Sequence, residues 1–136
     1  MDTARTNTSS DDAVVDRLFD QEPTFDWVGV YVVQGETLEL GAFCGEPTEH
    51  TSIPMGQGVC GSVAATGRTE VVPDVHQRPG HIACDTHTRS EVVAPIVRDA
   101  RVIGVLDIDS NTPDAFGDRE VQLVEDTARE IAAGGA

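Results

Sequence analysis

The residues with most chemical potential lie between Cys60 and Asp109. Cys84 sits in Gly80-His81-Ile82-Ala83-Cys84-Asp85, with Glu91 seven residues on. Leu106-Asp107-Ile108-Asp109 is an apolar stretch carrying two acids at alternate positions, and Cys60 lies in Gly58-Val59-Cys60-Gly61. A thiolate can attack an electrophilic sulfur, a carboxylic acid can protonate an oxygen that leaves, and a second thiol can close a disulfide that resets the site. These are the parts of a small thiol redox centre.

The elements around them read as an α+β domain. Ser10 or Asp11 is placed to cap a helix with Val14, Val15, Leu18 and Phe19 on one side, ended before Pro23. Trp27–Val33 reads as a strand, Gln34-Gly35-Glu36 as a turn and Thr37–Phe43 as the returning strand. Alternation puts Trp27, Gly29, Tyr31 and Val33 on one face. Cys44–Gln57 reads as irregular, Gly58–Thr66 as a short helix closed by Gly67, and Glu70–Val72 as a short strand. Asp74–Arg89 reads as a long loop, and a loop of that length inside a compact domain is usually functional. Val92–Val97 and Val102–Ile108 form a second hairpin, and a last helix follows with Asp118 as its cap. Hairpin-linked strands make an antiparallel sheet flanked by helices. Residues 1–10 read as a mobile polar tail and 11–136 as one domain.

Composition narrows the partners. The chain of 136 residues has 24 acids and nine cations, all Arg, for a net charge of −15. No basic cluster is available for nucleic acid or for an anionic membrane surface. Acidity without Lys fits adaptation to concentrated salt, where screening makes self-repulsion tolerable. No apolar run approaches a membrane span, and the first twelve residues lack the apolar core of a signal peptide, so the expected location is cytoplasmic. Three cysteines in a reducing compartment are reactive, metal-binding or buried rather than a disulfide framework.

Several patterns have plainer readings. Gly56-Gln57-Gly58-Val59-Cys60-Gly61 matches the dinucleotide string G-x-G-x-x-G. It follows Thr51-Ser52-Ile53-Pro54 in an antiparallel pattern rather than a βαβ unit, so it reads as a tight turn into a helix. His81, Cys84 and His87 lack the paired spacing of a zinc site, and no metal or other cofactor is expected. Asp107 and Asp109 share a strand face, which is either a wet sheet surface or a seat for a cationic ligand. Trp27 and Tyr31 are either core or an apolar wall for a small ligand.

Taken together these segments resemble the GAF-domain free methionine-R-sulfoxide reductases. The resemblance runs roughly from Trp27 to Leu123. It rests on Trp27-Val28-Gly29-Val30-Tyr31, Ile53–Gly61, Asp74-Val75-His76, Gly80–Asp85, Ser90-Glu91-Val92, Pro95 and Ile103–Ser110. It implies a GAF-like fold and thiol-dependent reduction of the R epimer of free methionine sulfoxide by a thioredoxin-like reductant. By the same resemblance Cys84 is the nucleophile, Cys60 the second family cysteine, and Trp27, Tyr31, Glu91, Asp107 and Asp109 the substrate-binding set. A carboxylate can pair with the substrate ammonium, and one acid among three crowded ones is expected to hold a proton. The family's resolving cysteine, ten residues before the Cys60 position, is His50 here. Cys44 lies upstream in what reads as the same loop and is the expected partner of Cys84; Cys60 and an external thiol are the alternatives.

Two other functions fit parts of the sequence: a non-catalytic GAF sensor and a redox-sensing thiol protein without a small substrate. The cyclic-nucleotide form of the fold uses an Asn-Lys-Phe-Asp-Glu set, of which this chain offers Asn111, Phe116, Asp118 and Glu120 but no Lys. A homodimer is compatible with the sequence.

Overall fold

The computed structural model describes residues 10–78 and 87–134. Its elements run α1 (Ser10–Gln21), β1 (Trp27–Gln34), β2 (Thr37–Cys44), β3 (Ser52–Pro54), α2 (Gly58–Thr66), β4 (Glu70–Val72), β5 (Ser90–Arg98), β6 (Arg101–Ser110) and α3 (Asp118–Gly134). The strands form one six-stranded sheet in the order β3-β2-β1-β6-β5-β4, with every neighbouring pair antiparallel. The α+β expectation from two hairpins is therefore met. Joining β1 to β6 makes the hairpins one sheet and brings the first strand beside the strand that carries both aspartates.

Each sheet face has its own core. Val28 and Val30 of β1, Val92 and Ala94 of β5, and Leu106 and Ile108 of β6 pack against Val14, Val15 and Leu18 of α1 and Val124, Ala128 and Ile131 of α3. The opposite face carries Trp27, Tyr31, Val93 and Val105, and packs against Val59, Cys60, Val63 and Ala64 of α2. Period-2 alternation divides β1 and β6 between these layers. The α3 stripe follows helical spacing, so burial on one side rather than propensity holds the helix.

Four local features differ from the sequence reading. Ser52–Pro54 is an edge strand on Thr37–Glu39 and not irregular chain. It is too short to show alternation, and Pro54 is tolerated because an edge strand leaves one side of the backbone unpaired. Val75–Gln77 in the long loop forms a 3-10 turn in which the His76 N–H donates to the Asp74 carboxylate at 3.0 Å. At the start of α3 the cap is Gly117, whose carbonyl accepts the first helical hydrogen bond from Val121, while Glu120 accepts from the Gly117 N–H at 2.9 Å. Asp118 is instead the first helical residue, where its charge still suits the positive helix end.

The fourth difference is a bulge. Opposite β1, Gly29 pairs with Phe43 but Tyr31 pairs with Leu40, so β2 carries one extra residue. An extra residue reverses the alternation beyond it. Leu38, Leu40 and Phe43 consequently share the α2 side, while Ala42 and Cys44 turn to the α1 side.

Candidate functional site

The α2 face of the sheet gathers the chemistry. Register places Glu91 opposite Asp109, and Asp109 opposite Trp27, in a row across β5, β6 and β1. The next row on the same face is Val93, Asp107 and Gly29. Three acids therefore meet on adjacent strands, with Glu91 diagonal to Asp107. Cross-strand and diagonal neighbours on one face lie about 5 to 8 Å apart, close enough for carboxyl groups to touch.

The face is not wet. Asp107 is 0% exposed, Glu91 and Asp109 are each 2% exposed, and Cys60 is 4% exposed. That burial overturns the solvent-face reading of the two aspartates. Cys60 enters from the first turn of α2, where the Gly56–Gly61 turn seats the helix against the sheet. Gly61 packs so closely that a Cβ there would stand 2.8 Å from the Pro54 carbonyl. The glycine string thus serves close backbone approach, as its plainer reading held.

Sγ of Cys60 and one oxygen each of Glu91 and Asp107 all lie within 4.8 Å of one another. Glu91 interacts electrostatically with both aspartates, and Asp107 also with the Cys60 thiol. Burial pushes the Glu91 carboxyl well above the ordinary glutamate range, and the charge of Asp109 pushes it further. Burial likewise raises Asp107 well above the ordinary aspartate range, with Glu91 adding to the effect. Crowded carboxyls in low dielectric hold protons because ionising all of them at once is prohibitive. The cluster can therefore hold a proton to donate while keeping negative charge for a cation. A thiol with two carboxylates is also a donor set that zinc accepts.

One wall of the site is aromatic. The Trp27 indole stacks on Phe43 with ring centroids 5.8 Å apart and planes at 18°, and lies 6.3 Å from the Tyr31 ring. Its Nε1–H donates to the Glu46 carbonyl at 2.9 Å, and the Tyr31 hydroxyl donates to the His50 carbonyl at 2.8 Å. Position 50 therefore sits beside Tyr31. Sequence reading missed Phe43, since only the bulge brings it to this face.

Of the expected site residues, the structure brings together Trp27, Tyr31, Cys60, Glu91, Asp107 and Asp109. Cys84, like His81, lies outside the described residues. Cys44 is not with the cluster. It is the last residue of β2 rather than part of a loop, it packs on the α1 side, and its thiol donates to Asp16 Oδ1 at 2.8 Å. The bulge is the physical reason. A cleft of about 500 Å³ lies elsewhere, between the β1 and β6 ends and α3, with Ile96, Arg98 and Ile131 in its wall.

The GAF domain family model matches residues 1–134. The chain is similar to the free methionine-R-sulfoxide reductase of Saccharomyces cerevisiae, 43% identical over 109 residues, covering 77% of this chain and 60% of that protein. It is similar to the protein of the same name from Escherichia coli, 41% identical over 105 residues, covering 77% of this chain and 63% of that protein. The chain thus spans about three fifths of the length of these curated relatives. Among solved structures, the reduced form of fRMsr of Staphylococcus aureus superposes with a TM-score of 0.86 at 42% identity, covering 92% of this chain and 80% of that one.

Proposed function

Because this chain belongs to the GAF-domain family, and within it to the free methionine-R-sulfoxide reductases, we propose that it reduces free L-methionine-(R)-sulfoxide to methionine with thiol reductant. The observation that carries the reading is the buried acid triad beside a buried thiol and an aromatic wall. A free amino acid brings an ammonium that carboxylates can hold, a sulfoxide oxygen that needs protons, and an S-methyl group that needs an apolar surface. Each of these groups has a matching partner on one face of the sheet.

The chemistry balances as follows. The Cys84 thiolate attacks the sulfoxide sulfur, one acid protonates the oxygen, and that hydroxyl passes to the Cys84 sulfur as the substrate S–O bond breaks. Methionine leaves with the sulfur lone pair restored, and Cys84 is oxidised to the sulfenic acid. A second thiol attacks that sulfur, releasing water and forming a disulfide, which an external dithiol reduces by exchange. Cys60 is the better resolving thiol in this reading. It stands in the acid cluster, whereas Cys44 would have to reach across the sheet, and a disulfide needs Cα atoms within about 7 Å. A thioredoxin-like dithiol as reductant, a cytoplasmic location, and one domain over residues 11–136 belong to the same proposal. Chiral chromatography of methionine sulfoxide incubated with protein and dithiothreitol tests it. The R epimer should disappear and the S epimer persist; consumption of neither epimer, or of both equally, would refute it.

A further inference from the structure

The Trp27 indole occupies the volume that a side chain at position 29 would fill. A Cβ built on Gly29 would stand 2.3 Å from Cη2 and 2.5 Å from Cζ3 of that ring. Gly29 is also the cross-strand neighbour of Asp107 on one side and of Phe43 on the other. The benzene half of the indole is therefore laid over one residue, between the acid cluster and the Phe43 ring. It is fixed there from three directions: the Gly29 backbone beneath, the Phe43 ring behind, and the Glu46 carbonyl at Nε1. A fourth contact is close as well, since a Cβ on Gly45 would stand 2.7 Å from Cδ1.

We infer that Gly29 and Phe43 are specificity-determining residues that set the gap between the indole and the acids, and so the size of the S-alkyl group the site accepts. The inference rests on the reading of this face as a methionine sulfoxide site. A substrate whose polar groups are held at Glu91, Asp107 and Asp109 must place its S-alkyl group against the apolar wall, and that wall is as deep as the seat of Trp27 allows. Gly29 admits the indole to its full depth. Phe43 stops it from retreating further. Neither residue needs to touch the reacting atoms, so both act by positioning Trp27.

The two positions predict opposite changes. Phe43→Ala leaves space behind the indole and should widen the gap. Gly29→Ala forces the indole off its seat over the strand. Trp27 is the only tryptophan in the chain, so its fluorescence reports this plate and nothing else. The experiment is a fluorescence titration with methionine-(R)-sulfoxide and with ethionine-(R)-sulfoxide, which is longer by one methylene at sulfur, every protein also carrying Cys84→Ser so that no turnover intervenes. A pocket sized for methyl discriminates against one extra methylene by about ten-fold or more. The Cys84→Ser protein without further change should show that preference. Phe43→Ala should bring the ratio of the two dissociation constants close to one, and Gly29→Ala should shift the emission and weaken both ligands, ethionine sulfoxide the more. Loss of general stability would not move the ratio in opposite directions in two variants. Phe43→Leu, which keeps an apolar core residue, replaces Phe43→Ala if that variant does not fold, and should lower the ratio by a smaller factor. An unchanged ratio in the Phe43 variant, with wild-type turnover of methionine-(R)-sulfoxide intact, overturns this inference alone. A wild type that neither binds nor turns over either sulfoxide overturns it together with the functional reading.

Discussion

Asp107→Asn should make the protein more stable and the enzyme worse, and the stability gain should depend on pH. Asp107 is 0% exposed and its carboxyl is held well above the ordinary range by burial and by Glu91. In the unfolded chain the same group ionises near pH 3.9. The folded state thus keeps this proton to higher pH than the unfolded state does, and over that interval this works against folding. Each pH unit above the unfolded value adds about 1.4 kcal/mol, so one carboxyl kept protonated at pH 7 costs at most about 4 kcal/mol. The amide of Asn has nearly the same shape, can donate as the protonated acid does, and never ionises. Imperfect hydrogen bonding takes back about 1 kcal/mol or more of the gain. A net stabilisation at pH 7, of no more than about 3 kcal/mol, is expected. The sign follows from linkage: a raised native pKa means that stability falls as pH rises from the unfolded value towards the native one. Below about pH 4 wild type is protonated in both states, and the advantage of the variant should vanish. Urea unfolding of both proteins at pH 7 and pH 4, at one fixed salt concentration, measures the difference. Turnover should meanwhile drop about ten-fold or more through loss of a charged or proton-donating partner. A variant less stable than wild type at pH 7, or a difference that does not change with pH, would refute the reasoning.

Recycling gives a second contrast. Cys60→Ser should complete one turnover and then stall with disulfide-specific reductants, whereas Cys44→Ser should keep cycling; the reverse pattern in a coupled reductase assay would return resolution to the far face of the sheet. Tyr31→Phe removes the hydroxyl that ties β1 to the His50 carbonyl in a fully buried setting, and should cost about 1–3 kcal/mol of unfolding free energy in denaturant titrations. With a net charge of −15, the melting temperature should rise from low towards molar salt as like-charge repulsion is screened. A flat melting curve would remove salt adaptation as the explanation of the acidity.

The strongly patterned parts of the fold were legible in the sequence. Both hairpins and the α3 stripe have long alternating or helical runs, and each run decides its own element. Ser52–Pro54 had no such run, because three residues on a sheet edge are defined by the backbone of Thr37–Glu39 rather than by their own side chains. Alternation correctly put Asp107 and Asp109 on one face of β6. It could not say that α2 covers that face, which is a matter of tertiary packing, so burial and solvent exposure stayed open. The placement of Cys44 in a loop is corrected by the fold, since it ends β2. Its type and position suggested a mobile resolving thiol, but one extra residue in β2 turns its side chain to the α1 layer. The same bulge brings Phe43 under the Trp27 indole. A bulge leaves little trace in a strand pattern, so neither consequence was visible before the register was known.

The central claim is that Cys84 takes the sulfoxide oxygen while the buried acids hold and protonate the substrate. The most direct measurement is one turnover of the fully reduced protein with equimolar methionine-(R)-sulfoxide and no added reductant, followed by quantitation of methionine and mass-spectrometric mapping of the cysteines. The account predicts close to one methionine per chain and oxidation at Cys84, captured as a disulfide with Cys60, with no methionine formed by Cys84→Ser. Release of methionine with Cys84 still a free thiol, or equal yield from the Cys84→Ser protein, would contradict it.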